Sequence, residues 1–326
     1  MHFLDKWVPY KLELENNERY CRWLYIGDKK FTEPFFDQTI LSCKQLPEYN
    51  PAYRVLSSLE MMTAWASNMQ SVQPAALIFH VSRCGSTLLS QMLALDEENI
   101  VLSEVPVLDE LLRLPFAKEN SESESTSDAY FQSALRFCGQ VRQEKEPRLI
   151  IKADSWHLRF YNRLRKLFPD TLFILLYRAP ADVIRSQSRG RGMQSVPGVL
   201  EPELFGFTES DIIYNLDEYM GRVLTKYFFA LHQIISDDSN FILCNYSEGM
   251  YSIVNRVFAR LAIQPSSEYI ERIKERMQFH GKEPSFFYKE EVPEERQPEY
   301  LSNAVSLYQE LERRRLSIEA SFDKVH

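Results

Sequence analysis

The sequence has no apolar run near the ~20 residues that a membrane helix needs. Its opening, "MHFLDKWVPYKLELENNERY", carries charges throughout and no apolar stretch of signal-peptide length. Together these absences lead us to expect a cytoplasmic protein with no membrane partner. Cysteine is scarce and scattered: Cys21, Cys43, Cys84, Cys138 and Cys244 form no Cys-x-x-Cys pair and accompany no histidine pattern. Neither a zinc site nor a disulfide framework is suggested, and reduced thiols in a cytosol fit best. Positive charge is also in deficit. A formal net charge of -8 argues against DNA, RNA or an anionic membrane as partner, so any polyanion site must be a local basic cleft. There is no Gly-x-Ser-x-Gly elbow, no His-Glu-x-x-His and no carboxylate cluster demanding a metal, so metal-independent chemistry is expected.

What is present is enough for a sizeable core: 326 residues, 44% of them hydrophobic, forming one large α/β domain or two small ones. Residues 1–71 mix aromatics with charges and read as an N-terminal appendage. In it, Gly27-Asp28 is the expected hairpin turn and "VLSSLEMMTAWASNM" the expected helix. Residues 72–326 form the main domain. Apolar runs "AALIFHVS", "NIVLSE", "RLIIKAD", "TLFILLYR" and "FILCNYS" alternate with helical patterns, which predicts a three-layer α/β fold: a central parallel sheet with helices on both faces. Ligands then belong at the carboxyl ends of the strands. The segment 117–129 reads as a mobile polar loop, and 189–207 as a lid or substrate loop. "EYLSNAVSLYQELERRRLSIEASF" has the spacing of an amphipathic helix.

One stretch carries chemistry. In "IFHVSRCGSTLLSQML" a strand runs into Ser82-Arg83-Cys84-Gly85-Ser86-Thr87 and then a helix, so backbone N–H groups and the positive helix end surround an anion. Gly85 permits close approach, Arg83 adds a charged fork, and Ser86 and Thr87 offer hydroxyls. A capped turn without ligand fits the same residues. "LLYRAPADVIRSQ" supplies a second anion signal, Arg178 at a strand end and Ser186 on the helix begun by Pro180; a strand-end salt bridge is its plainer reading.

These blocks resemble the sulfotransferases that use 3'-phosphoadenosine 5'-phosphosulfate (PAPS), over about residues 75–262. "SRCGSTLLSQML" is similar to the family's 5'-phosphosulfate loop, and "YRAPADVIRSQ" to its 3'-phosphate motif. "NYSEGMYSIVNRVFARLAI" is similar to its late tyrosine-bearing strand and helix. The resemblance implies a P-loop-type sulfotransferase fold, PAPS as donor with 3',5'-ADP as product, Arg178 and Ser186 on the 3'-phosphate and Tyr246 near adenine. Two departures stand out: Ala179 replaces a common acidic residue, and Arg83 stands where cytosolic members have lysine. Arginine there resembles the carbohydrate- and protein-modifying members.

Sulfuryl transfer to a hydroxyl needs a base, positive charge over the transferring group, and in-line placement. Glu104 falls where the tyrosylprotein and carbohydrate sulfotransferases carry a catalytic glutamate and is the expected base; a capping carboxylate before Pro106 is its plain reading. Asp109 and Glu110 are expected to be exposed helix residues. Lys152 resembles the family lysine that contacts the transferring group. Asp154 stands where cytosolic members have a histidine base, leaving it an orienting or alternative-base role, and His157 is a further candidate. Arg189 or Arg191 of "RGRG" is a candidate phosphate clamp, and Phe286, Phe287 and Tyr288 a candidate aromatic wall. The acceptor bears a hydroxyl of unassigned class, and the subunit number is unassigned too. The rivals are a P-loop kinase or phosphotransferase, which wants a Gly-Lys-Ser/Thr loop and magnesium, and a non-catalytic nucleotide-binding protein.

Overall fold

Apolar runs bounded by turn residues become the strands of this α/β protein. A computed structural model describes residues 2–48, 54–117, 122–143, 145–279, 281–282 and 298–322. Strands β1 (Trp7–Glu15), β2 (Glu18–Tyr25) and β3 (Val55–Ser58) form a three-stranded sheet in that order. The other strands are β4 (Pro74–His80), β5 (Asn99–Ser103), β6 (Arg148–Lys152), β7 (Leu172–Tyr177) and β8 (Phe241–Asn245). They make a five-stranded parallel sheet, order β5-β6-β4-β7-β8, flanked by helices. This is the architecture that the alternating pattern predicts.

Helices α1 (Phe36–Gln45), α2 (Leu59–Ala66), α3 (Ser86–Ala94), α4 (Pro106–Arg113) and α5 (Glu124–Cys138) come first in the chain. They are followed by α6 (Tyr161–Leu167), α7 (Pro180–Arg189), α8 (Leu216–Asp237), α9 (Met250–Arg260), α10 (Ser267–Met277) and α11 (Ser302–Phe322). The chain clusters into two compact units: Met1–Leu77, Thr87–Ala153 and Pro265–Arg276 in one, Ile78–Ser86, Asp154–Gln264 and Met277–His326 in the other.

In the first unit, β1 and β2 pair antiparallel through a turn at Asn16 and Asn17, whose φ values are 50° and 64°. Asparagine tolerates the left-handed backbone that a two-residue hairpin demands. The turn expected at Gly27-Asp28 is therefore displaced: Gly27 follows β2 rather than joining two strands. The helix expected from Val55 begins later, because Val55–Ser58 pairs with β2 and Ser58 caps α2 by accepting from Met61 N at 3.2 Å. Most of the loop expected at 117–129 is also corrected where described. Ser123 accepts from Thr126 N at 3.1 Å and starts α5 at Glu124, a helix held by the buried Tyr130, Phe131, Ala134 and Leu135 further along.

In the second unit, every residue of β7 is buried. Phe173 packs against Phe79 and Tyr161, with ring centroids 5.1 and 5.5 Å apart. Each such buried aromatic contributes roughly 1.5–3 kcal/mol through the area removed from water. The C-terminal helix α11 forms where its spacing predicts. Among the described residues no helix is long and apolar enough to cross a membrane.

Candidate functional site

The turn that follows β4 is strained. Ser82, Arg83 and Gly85 have φ of 70°, 52° and 85°. A left-handed backbone costs a non-glycine residue about 1–2 kcal/mol, so two in succession persist only where their surroundings hold them. The holding contacts are specific. Val81 N donates to Leu176 O on β7 at 3.2 Å, and Cys84 Sγ donates to the same carbonyl at 3.3 Å. Ser82 N donates to Nδ1 of the buried His80 at 3.1 Å. Ser82 Oγ accepts from Gln187 Nε2 at 3.1 Å and from Gln194 Nε2 at 2.7 Å. The Arg83 guanidinium donates to Gly190 O. Gly85 is required twice over, since a Cβ there would lie 2.8 Å from both Met250 Sδ and the Tyr246 ring. Gly85 thus admits the Tyr246 ring and the Met250 thioether against its backbone. Ser86 and Thr87 are buried at the start of α3.

Arg178 is the first residue past β7. It donates to Arg83 O at 3.4 Å, lies 4.7 Å over the Tyr246 ring, and stands 3.5 Å from the Asp182 carboxylate. Asp182, four residues on along α7, thus gives Arg178 the acidic neighbour that Ala179 cannot. Pro180, which has no N–H of its own, opens α7 without a side-chain cap; the N–H groups of Asp182 and Val183 donate to Ala179 O at 3.0 and 3.1 Å, and Ser186 lies half-buried further along that helix. Tyr246 opens a short turn after β8, shaped by Asn245, whose Oδ1 accepts from Ser247 N at 3.1 Å. Helix α11 backs both strand ends: Tyr177 Oη donates to Glu312, and Asn245 Nδ2 donates to Tyr308 Oη at 2.9 Å. Burial, then the Glu312 hydrogen bond, push the Tyr177 phenol far above its ordinary pKa.

In the first unit, Glu104 follows β5 with a φ of 50°, another left-handed non-glycine residue. Its N–H donates to Lys152 O at 2.9 Å, and its carboxylate accepts from Lys152 Nζ. The two side chains are 25% and 0% exposed, so the carboxylate is the member that solvent reaches. The Phe35 ring lies 5.0 Å from the ammonium. A buried ammonium left alone costs several kcal/mol, and Glu104 with the ring face compensates it.

Other expectations fare differently. Asp154 and His157 form a reciprocal capping box on the turn Ser155–Phe160, with Asp154 N donating to His157 Nδ1 at 3.3 Å. Arg191 pairs with Asp217 at 2.5 Å, and Arg189 is exposed. Asp109 and Glu110 are not exposed, which corrects that reading. Asp109 is buried and paired to Arg113 at 2.8 Å. Glu110 accepts from Leu12 N at 2.7 Å, and burial raises its carboxyl to about 7. Helix α4 packs against β1, which reaches Glu110 through Leu12 N. Phe286, Phe287 and Tyr288 lie outside the described residues. His80, Asp182, Gln187 and Gln194 escaped sequence reasoning. For Asp182 the i,i+4 spacing from Arg178 was a usable signal; for the glutamines, only their flanking of "RGRG" was.

No protein-family model matches the chain, and no curated protein matches it. Solved structures do resemble it. A sulfotransferase of Mycobacterium tuberculosis is 10% identical, covers 67% of this chain and 76% of its own, and has a TM-score of 0.43. A sulfotransferase of Alicyclobacillus acidocaldarius is 16% identical over 62% of this chain and 90% of its own, with a TM-score of 0.39. The sulfotransferase domain from the curacin biosynthetic pathway is 16% identical over 73% and 83%, with a TM-score of 0.40.

Proposed function

We propose that the protein is a PAPS-dependent sulfotransferase that moves a sulfuryl group to an acceptor hydroxyl. The observation that carries this reading is the lysine-free turn Ser82–Gly85, in which Ser82, Arg83 and Gly85 are left-handed and the Arg83 carbonyl accepts from Arg178. Left-handed residues in such turns aim consecutive N–H groups at an anion, and the nearby α7 N-terminus with Arg178 suits a second one. An adenosine bearing phosphates at both ends fits that pair of anion sites, with the Tyr246 ring as a face for the base. PAPS supplies the activated sulfuryl group and a bisphosphate leaving group.

The chain's own residues do the rest in this proposal. Glu104 accepts the proton of the acceptor hydroxyl as its oxygen bonds to sulfur. Lys152 covers charge on the transferring group. Arg83, with the N–H groups of Cys84 to Thr87, holds the charge left on the phosphate when the sulfur–oxygen bond breaks. Removing one such aimed donor costs on the order of 3 kcal/mol of barrier, a hundredfold or more in rate. Residues 1–71 are proposed as an appendage on the acceptor side, and the contact of Phe35 with Lys152 supports that. Five buried cysteines suit a reducing cytosol as the place of action. The Glu104–Lys152 ion pair also favours a second reading, a nucleotide-binding protein in which the pair serves structure only.

Thermal-shift assays against 3',5'-ADP, ATP with magnesium, and no ligand separate the donor classes. Selective stabilisation by 3',5'-ADP is expected; stabilisation by ATP with magnesium alone rejects the proposal in favour of a kinase. Mass spectrometry of metabolite and glycan pools incubated with labelled PAPS then separates enzyme from binding protein.

A further inference from the structure

The end of α7 and the segment after it are tied to the anion turn at three points. Gln187 is completely buried; its Nε2 donates to Ser82 Oγ while its Oε1 accepts from Gly192 N at 2.8 Å. That second bond fixes which end of the amide faces Ser82. Gln194, also buried, donates to the same hydroxyl and is folded so tightly on Gly192 that a Cβ there would lie 2.6 Å from Oε1. Arg83 adds the third tie, to Gly190 O. All three ties end on Ser82 or Arg83, the two left-handed non-glycine residues of the turn.

Beyond Gln194 the chain is anchored, not loose, which corrects the expectation of a lid. Ser195, Leu200, Leu204, Phe205 and Phe207 are buried, and Phe205 and Phe207 meet Tyr227 and Tyr219 of α8, with ring centroids 6.1 and 5.8 Å apart. Only a short tip, where Gly198 and Val199 are exposed, stands out between Gln194 and Leu200.

We infer that Gln187 and Gln194 are positioning residues that hold Ser82 and Arg83 in the anion-binding backbone, linking that turn to the 196–207 segment. The inference rests on the sulfotransferase reading for its ligand, though not for its geometry. Ser82 Oγ has two lone pairs, and both accept from the glutamines. Loss of either glutamine or of the hydroxyl therefore loosens the same backbone, and the losses do not add.

The test compares the full-length wild type with Gln194→Met, which keeps the length, removes the N–H donor and adds no charge, with Ser82→Ala, and with the double variant. Hydrogen–deuterium exchange of residues 82–87 is read without ligand, and the dissociation constant of 3',5'-ADP by calorimetry. The expected result is faster exchange at 82–87 in each variant, and binding about tenfold weaker in each single variant and no weaker in the double. Unchanged exchange, or losses that multiply in the double variant, overturns the inference. If wild type does not bind 3',5'-ADP, the donor assignment fails while the exchange measurement still decides the role of the glutamines. Ser82→Ala, a small deletion, carries the exchange measurement if Gln194→Met does not fold.

Discussion

Around Ser82 and Arg83 a strained backbone is held by side chains from β4, α7 and the segment after it. Around Glu104 the backbone is strained as well, yet the Glu104 and Lys152 side chains there satisfy each other. The first region is held by bonds within the protein, from His80, the two glutamines and Gly190 O to Ser82 and Arg83. In the second, a ligand that recruits Lys152 has to compete with Glu104. The proposed donor site is thus preorganised, and the proposed reacting pair is poised to be rearranged.

The sharpest way to break this comparison is at the pair. Glu104→Gln is expected to lower turnover by about a thousandfold while 3',5'-ADP affinity, measured by calorimetry, stays within about twofold. Unchanged turnover would remove Glu104 as the base. Stability tells the two partners apart. Glu104→Ala leaves an ammonium fully buried and should destabilise by about 3 kcal/mol, whereas Lys152→Met leaves only a carboxylate that solvent already reaches and should cost less. Denaturant melts of both variants check the order, and equal losses would mean that the ion pair is not buried as described.

Lys152→Met should also slow turnover about a hundredfold, less than Glu104→Gln, because the other aimed donors remain. At the preorganised end, Gly85→Ala puts a methyl against Tyr246 and Met250 on a left-handed backbone. It should weaken 3',5'-ADP binding about tenfold with little effect on turnover at saturating donor, since the strain of about 1–3 kcal/mol falls on the turn alone. A fall in saturated turnover equal to the fall in affinity would tie the turn to the chemical step.

The sheet was legible because its strands are continuous apolar runs ending in chemistry-bearing residues: Lys152 closes β6, and Arg178 stands one residue past β7. Glu104 and Gly85 could be picked out by position after a strand. The supports could not, because the contacts between Gln187 and Ser82 and between Glu312 and Tyr177 span 105 and 135 residues. Hairpin and helix starts were misplaced for a local reason: Asn16-Asn17 and Ser58 do by side-chain chemistry what was looked for in glycine and in periodicity. Glu110 was misread because β1, remote in sequence, reaches it through Leu12 N.

Glu110 gives the smallest effect and the control for Glu104. Burial chiefly, and Asp109 secondarily, raise its carboxyl from 4.5 to about 7, against the lowering influence of Leu12 N, Lys11 and Arg113. The fold therefore favours the neutral acid. Between pH 4.5 and about 7 the native state binds more protons than the unfolded chain, so this group's contribution is full below that window and is lost as pH rises through it. Glu110→Gln stays neutral and keeps an oxygen for Leu12 N. Its melting temperature should match wild type near pH 4.5 and exceed it by a few degrees at pH 8, with turnover unchanged. A loss of turnover with unaltered melting would mean that a carboxylate outside the Glu104–Lys152 pair takes part in the reaction, and the contrast between the two regions would have to be redrawn.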